Sequence, residues 1–450
     1  MRACDIAQSF SPRSGGVKRY LSNKIRIFAE RPDVDHLLIL PGPRDRQRIR
    51  GRSRVYEVKS PLLPGSLDYR LLLDRRRIFE VIQRESPDVI EVDSAYTAAW
   101  FGLAAGRRFE IPVVGFYHSD FPRRLPEKVP AALSGLGKML AKGIDRYLLA
   151  LHRRMDATVV ATEKYDRLLS EIGVPRRVRI PLGVNTAVFR PRPGRERIRR
   201  AFGVREDSFL LLFTGRLAGM KNLDGLIGMM AELSETADDC HLVIAGDGEE
   251  RETVLRAAAE REDVTWAAYV ADRDRLAELY SAADLFVHAG TMETFGLVSL
   301  EAQACGTRVI AVRGGGMEET LHGEDPIILA ESPDPAELAR AVRSARELGE
   351  DQEDRERRRR RILTEFSWET TFRRLLDLYD RLRREERSEF ALRAVAGPGV
   401  RSGRDADSAQ RRASEMHPFR KTSPPPASPL TGQGGEGTPA LGESGTIRAR

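Results

Sequence analysis

The chain is poor in cysteine and has no long apolar run. Its three cysteines, Cys4, Cys240 and Cys305, are odd in number and lie in mainly apolar surroundings, which suits neither a disulfide framework nor a zinc-ligand spacing. A reducing compartment is expected. No stretch approaches the ~18 consecutive apolar residues of a membrane-crossing helix, and Asp5 puts a charge where a secretory leader would be apolar. The expected setting is therefore the cytoplasm, with peripheral attachment to the inner face of a membrane as an open alternative. The Arg-rich runs at residues 44–54 and 75–77 lack interleaved aromatics or a binding motif, so nucleic acid is not an expected partner. G-x-G-x-x-G is also absent, and no dinucleotide fingerprint is read.

What is present starts with length and charge. A chain of 450 residues suggests about two or three domains with ample core. The net charge of +7 hides an asymmetry: residues 1–190 hold 35 Lys and Arg against 21 Asp and Glu, whereas residues 191–390 hold 30 against 41. The basic first part predicts an anionic partner or surface, such as acidic lipid headgroups.

Short apolar runs alternate with helical stretches along both parts. Residues 3–10, 36–40, 88–92 and 112–116 read as strands of a parallel sheet covered on both faces, and residues 156–161 and 177–185 as its last strands. Gly15 and Gly16 follow the first strand and precede an amphipathic helix over 17–29. That pair is either a plain turn or a place where a phosphate meets a helix N-terminus. His118 follows a strand end, where open α/β sheets bind ligands. Residues 123–154 mix basic and apolar positions, as a solvated helix pair or a lipid-facing surface would. Pro191, Pro193 and Gly194 mark a hinge, giving a first domain over 1–188 and a second over 189–367. A helix over 368–389 has Phe372, Leu375, Leu376, Leu378, Tyr379 and Leu382 as its apolar face. Beyond it, residues 390–450 are rich in Gly, Ser and Pro and are expected to be disordered.

The second part carries the chemistry. Residues 208–215 form an apolar strand followed by Gly215, Arg216 and Lys221, two cations five positions apart with only Asp224 as an acidic neighbour in sequence. A guanidinium fork and an ammonium point charge suit a pyrophosphate. The strand 284–288 leads into a loop with Glu293, Thr294, Phe295 and Gly296, then a helix bearing Leu297 and Glu301. Free N–H groups at that helix start attract phosphate, while the two acids suit neutral hydroxyls. Together they describe a phosphorylated, polyhydroxylated ligand such as a nucleotide-sugar. For the two acids taken alone, a solvated loop residue and a dipole-complementing acid explain them equally well.

Taken together, Ser14-Gly15-Gly16, the run 118–122, Pro181 to Asn185, Gly215-Arg216 with Lys221-Asn222, Glu293 to Glu301 and Phe366-Ser-Trp368 resemble the retaining glycosyltransferases of family 4. The likeness covers about residues 1–388 and looks most like GDP-mannose-dependent α-mannosyltransferases, with a UDP-sugar-dependent transferase of the same family as the alternative. It implies the GT-B fold, an α/β architecture of two facing Rossmann-like domains, with the last helix crossing back to the first. It implies that Arg216 and Lys221 bind the donor pyrophosphate, helped by the N–H of Gly16 in the Gly15-Gly16 loop. By the same resemblance Glu301 holds the ribose, Glu293 the sugar hydroxyls, and the N–H groups around Thr294, Phe295, Gly296 and Leu297 the sugar or phosphate. His118 lies against the transferred sugar. Family members need neither a metal nor another cofactor. The implied partners are a nucleotide-sugar donor and a lipid-linked or glycan acceptor. Asn185 stands where many relatives carry Asp, and Gly314-Gly-Gly-Met317 replaces a commoner Gly-Gly-x-Pro-Glu. Two other classes share the architecture, a non-catalytic binding protein and a sugar-nucleotide epimerase. The His118 run favours a transferase over the epimerase.

Overall fold

The computed structural model of the chain describes residues 1–10, 15–63, 69–118, 134–236, 239–323 and 326–395, with Ser134 and residues 386–395 as backbone only. Ser14, the run 119–122, residues 123–133 and the tail beyond 395 lie outside the described residues. Up to Glu386 the chain forms one compact unit, and it contains two sheets.

The first sheet has the order β3-β4-β2-β1-β5-β6-β7-β8. Its strands are β1 Arg2–Ile6, β2 Asp35–Gly42, β3 Arg46–Arg50, β4 Ser53–Lys59, β5 Val89–Val92, β6 Val113–Phe116, β7 Ala157–Val160 and β8 Arg177–Arg179. The second has the order β11-β10-β9-β12-β13-β14, from β9 Phe209–Thr214, β10 Cys240–Ala245, β11 Val264–Ala267, β12 Leu285–His288, β13 Arg308–Val312 and β14 Leu329–Ala330. Every residue of β5, β6, β7, β10, β12 and β13 is buried, which is why these strands read as continuous apolar runs rather than alternating ones.

All pairings between these named strands are parallel except one. Reading residues 44–54 as charge alone overlooks a hairpin, since β3 pairs antiparallel with β4 from Arg46↔Glu57 to Arg50↔Ser53. The arginines of β3 lie on an exposed edge, where charge discourages pairing with another chain.

The last helix, Trp368–Val395, buries the predicted face: Phe372, Leu375, Leu376, Leu378 and Tyr379 are in the core, and Leu382 packs against it partly buried. Trp368 stacks on Phe372, and both rings meet Tyr20 of the opening helix Gly16–Ala29. The helix runs past the boundary at 389 because residues 388–395, Ser-Glu-Phe-Ala-Leu-Arg-Ala-Val, are mostly good helix formers, with Gly397 and Pro398 only afterwards.

A polar network lies inside the first sheet. Lys24, fully buried, donates to Asp5 of β1 at 2.7 Å, Glu91 of β5 at 3.3 Å and the Tyr379 hydroxyl at 3.0 Å. Tyr20 and Tyr379 both donate to Glu91. His36 joins Asp5 to Ser53. A buried ammonium persists only with partners on every side, and here one partner comes from the far end of the chain.

Candidate active site

The strand order of the second sheet fixes where its ligand groups sit. From β9 the chain goes outward to β10 and β11, then returns to β12 on the other side of β9, so β9 and β12 flank the topological switch. Loops leaving the carboxyl ends of such a pair diverge and leave a crevice between them. Gly215, Arg216 and Lys221 leave β9; Glu293 leaves β12. Their loops meet, because the Lys221 ammonium forms an ion pair with Glu293 Oε1. The expectation of few acids near the two cations holds for the sequence but not for space, since Glu293 comes from 72 positions further on. Arg216 stays exposed in the same loop.

The Glu293 loop is held by close backbone packing. A Cβ on Gly316 would lie 2.2 Å from the carbonyl oxygen of Glu293, so the glycine loop after β13 rests directly on it. Phe295 is buried. Gly296, at φ +91°, caps the helix Leu297–Ala304 without a side chain of its own, a conformation that favours glycine.

One full turn into that helix, Glu301 is 4% exposed. It accepts hydrogen bonds from Arg19 Nη1 at 2.7 Å and the Tyr280 hydroxyl at 3.2 Å. Burial pushes its carboxyl above the usual range, and the Arg19 guanidinium pulls it back. Arg19 lies one turn into the opening helix, so the start of that helix, with Gly15 and Gly16 exposed, faces the second sheet's site. Neither glycine has a positive φ, and a Cβ on either would touch nothing; the local fold does not demand glycine there, whereas close approach of a ligand would.

His118 is the other bridge. Its carbonyl accepts from the Thr294 hydroxyl at 3.3 Å. Its ring stacks on Phe116 at 3.9 Å and meets Tyr20 edge-on. Burial, then Lys24, draws its pKa down to about 3, so at neutral pH the imidazole is uncharged, and its buried Nε2 has no hydrogen-bond partner among the described residues. A neutral ring with one unused nitrogen can hydrogen-bond a sugar hydroxyl but cannot act as a cation.

The structure thus brings together Lys221, Glu293, Thr294 and His118 in one chain of contacts, and Glu301 with the opening helix in a second. Four participants escaped the sequence reading. Arg19 and Tyr280 hold Glu301. Glu319 accepts from the N–H groups of Glu163 (2.6 Å) and Lys164 (2.8 Å) at the start of the helix Glu163–Glu171, while Lys164 Nζ reaches the Gly314 carbonyl at 2.8 Å. Only Arg19 gave a signal, as a cation on the first turn after Gly15-Gly16. Among the described residues no group of three or more His, Cys, Asp or Glu side chains is placed to hold a metal ion, and no helix is long and apolar enough to cross a membrane.

Two parallel-sheet α/β halves with their strand ends meeting in one crevice make the GT-B architecture. Solved structures of the same fold include sucrose-phosphate synthase from Thermosynechococcus elongatus, with a TM-score of 0.67 and 20% identity over 85% of this chain and 99% of that one. A glycosyltransferase from Rickettsia africae gives 0.66 and 18% over 85% and 98%. The model of Glycosyltransferase Family 4 matches residues 14–188 and that of Glycosyl transferases group 1 residues 194–362. Among curated proteins, a GDP-mannose-dependent alpha-mannosyltransferase of Mycobacterium tuberculosis (strain CDC 1551 / Oshkosh) is 31% identical over 71% of this chain and 81% of its own length. A GDP-mannose-dependent alpha-(1-6)-phosphatidylinositol dimannoside mannosyltransferase of the same species (strain ATCC 25177 / H37Ra) is 29% identical over 76% and 87%. The chain belongs to the family 4 glycosyltransferases, and it is a hexosyltransferase.

Proposed function

We propose that the protein transfers mannose from GDP-mannose to a hydroxyl of a lipid-linked or glycan acceptor, with retention of configuration at the anomeric carbon. The observation that carries this reading is the meeting of Lys221 and Glu293 across the β9/β12 switch, with Glu301 one helix turn beyond. The names of the two mannosyltransferase relatives support the donor, and the second of them supports a lipid-linked acceptor.

In this reading Arg216 and Lys221 neutralise the diphosphate, each charged contact contributing about 1.5–3 kcal/mol. The first N–H groups of the opening helix add donors from the other side. Glu301 accepts from the ribose hydroxyls. Glu293, Thr294 and the helix start at Leu297 hold the sugar, and His118 faces its anomeric side. As the bond from the anomeric carbon to the leaving phosphate oxygen breaks, the acceptor oxygen bonds to the same face. The acceptor proton passes to the departing phosphate. Glu293 is a positioning group rather than a nucleophile, and the proposal invokes no metal or other cofactor, since the two cations stabilise the charge that develops.

Purified protein warmed with a panel of GDP- and UDP-sugars is expected to melt several degrees higher with GDP-mannose, given ligand well above its Kd. It should give an α-linked product by NMR, and Lys221→Ala or Glu293→Ala should abolish transfer without loss of fold. A shift with UDP-sugars alone removes the donor assignment, and an inverted product removes retention.

The acceptor side is proposed to lie at an anionic membrane. On the helix Ser134–His152, Leu136 and Met139 are 49% and 66% exposed, with Leu140, Lys138 and Lys142 exposed beside them. Apolar and basic side chains on one exposed stretch suit an interface of acidic headgroups.

A further inference from the structure

His288 closes β12 five residues before Glu293, and the mechanism above gives it no task. It is buried, and its ring leans against Phe213. Its Nδ1 accepts the N–H of Gly290 at 3.2 Å. An imidazole nitrogen that accepts carries no proton, so the hydrogen of the neutral ring is on Nε2. That Nε2 finds no hydrogen-bond acceptor among the described residues; Glu293 Oε1 lies 3.6 Å away, just beyond bonding range. A buried N–H left unpaired is unfavourable and is uncommon in folded proteins.

The same carboxylate oxygen is the one Lys221 holds. Gly290 brings the ring and the lysine turn together: a Cβ on it would lie 2.8 Å from His288 Cε1, 2.7 Å from the Met220 carbonyl oxygen and 3.2 Å from Lys221 Cα. His288 and the Lys221 turn are therefore packed tightly against each other, with the Glu293 carboxylate beside both. Lys221 cannot give its full charge to a diphosphate while it neutralises Glu293.

We propose that His288 is a positioning residue whose Nε2–H holds Glu293 Oε1, freeing the Lys221 ammonium for the anionic bridge of the donor. The inference rests on the donor reading above. A shift of Glu293 by roughly half an ångström closes the 3.6 Å separation to an ordinary hydrogen bond. Burial and the Lys221 charge draw the His288 pKa down to about 3, so the ring stays a neutral donor across the physiological range and adds no competing cation.

The test uses two variants that divide the ring's functions. His288→Asn keeps an acceptor for the Gly290 N–H but has nothing at the Nε2 position; His288→Gln places an amide N–H there. Measured with the donor that stabilises the wild-type protein, well below the melting temperature of every variant, His288→Asn is expected to lower kcat/KM about 10–100-fold, while His288→Gln restores most of it. In a Glu293→Ala background, read as the donor-induced melting shift because transfer is abolished there, the Asn change should add little, since the acceptor it serves is gone. Wild-type turnover in His288→Asn overturns the proposal, as does equal damage by Asn and Gln or full additivity with Glu293→Ala in that shift. Wild-type protein that neither binds nor turns over any nucleotide-sugar overturns the donor reading itself, and is seen before any variant is made.

Discussion

Single residues here are tuned by what lies opposite them across the crevice. Glu301 is the clearest case. Burial raises its carboxyl pKa and Arg19 is the largest influence lowering it. If Glu301 accepts from a ribose in its ionised form, donor affinity should fall as pH drops through that raised pKa. Arg19→Gln removes the counter-charge, so the pKa rises further and the acid limb of donor binding moves to higher pH. Titrating the donor's Kd between pH 5 and 8 checks this: an unmoved limb in Arg19→Gln removes Arg19 as the group that keeps Glu301 ionised.

At the scale of elements, the loops were legible where local chemistry dictates them. Apolar strands ending in Gly215 or in the Glu293 loop, and the amphipathic helix that opens at Gly16, follow from periodicity, and the helix after Gly296 follows from glycine's freedom at φ +91°. What was not legible depends on partners distant in sequence. The β3 hairpin was obscured because its arginines suppress the strand signal, and its pairing with β4 supplies what its composition lacks. Lys24 looks like a surface position on an amphipathic helix; only the placement of Asp5, Glu91 and Tyr379 makes it a core residue. The Arg19–Glu301 pair joins positions 282 apart, beyond any local pattern. Gly316 shows the same limit from the other side. Three consecutive glycines suggest flexibility, yet a methyl group at Gly316 would meet the Glu293 carbonyl at 2.2 Å and the Thr294 backbone at 3.0 Å. Gly316→Ala should therefore push the Glu293 loop out of place, lowering transfer at least tenfold for a stability loss of about 1–3 kcal/mol. Parallel denaturant melts and turnover measurements separate the two effects; unchanged turnover would show that the loop tolerates the shift.

For the molecule as a whole, charge is divided between the two halves, the first basic and the second acidic. The basic half carries the exposed Leu136, Met139 and Leu140 with Lys138 and Lys142 on the helix Ser134–His152, so membrane attachment through it predicts a specific salt response. Binding to vesicles containing acidic lipid should weaken strongly as salt rises from ~0.05 to ~0.5 M, because the Debye length falls several-fold over that range. Leu136→Ser with Met139→Ser should weaken it further without moving the salt slope. Equal binding to neutral and acidic vesicles would remove the electrostatic part of the proposal.

The long final helix also has a practical implication for recombining specificities. Because Tyr379 completes the polar cluster around Lys24, and Trp368 and Phe372 stack beside Tyr20, the carboxyl-terminal helix is physically a piece of the lobe that begins at Met1. A chimera that trades everything after a midpoint splice would strand an ammonium without its phenol. Exchange should instead treat the lobe built on the second sheet as a cassette, cut near residue 190 and again just before Trp368, with both flanking segments left in the host.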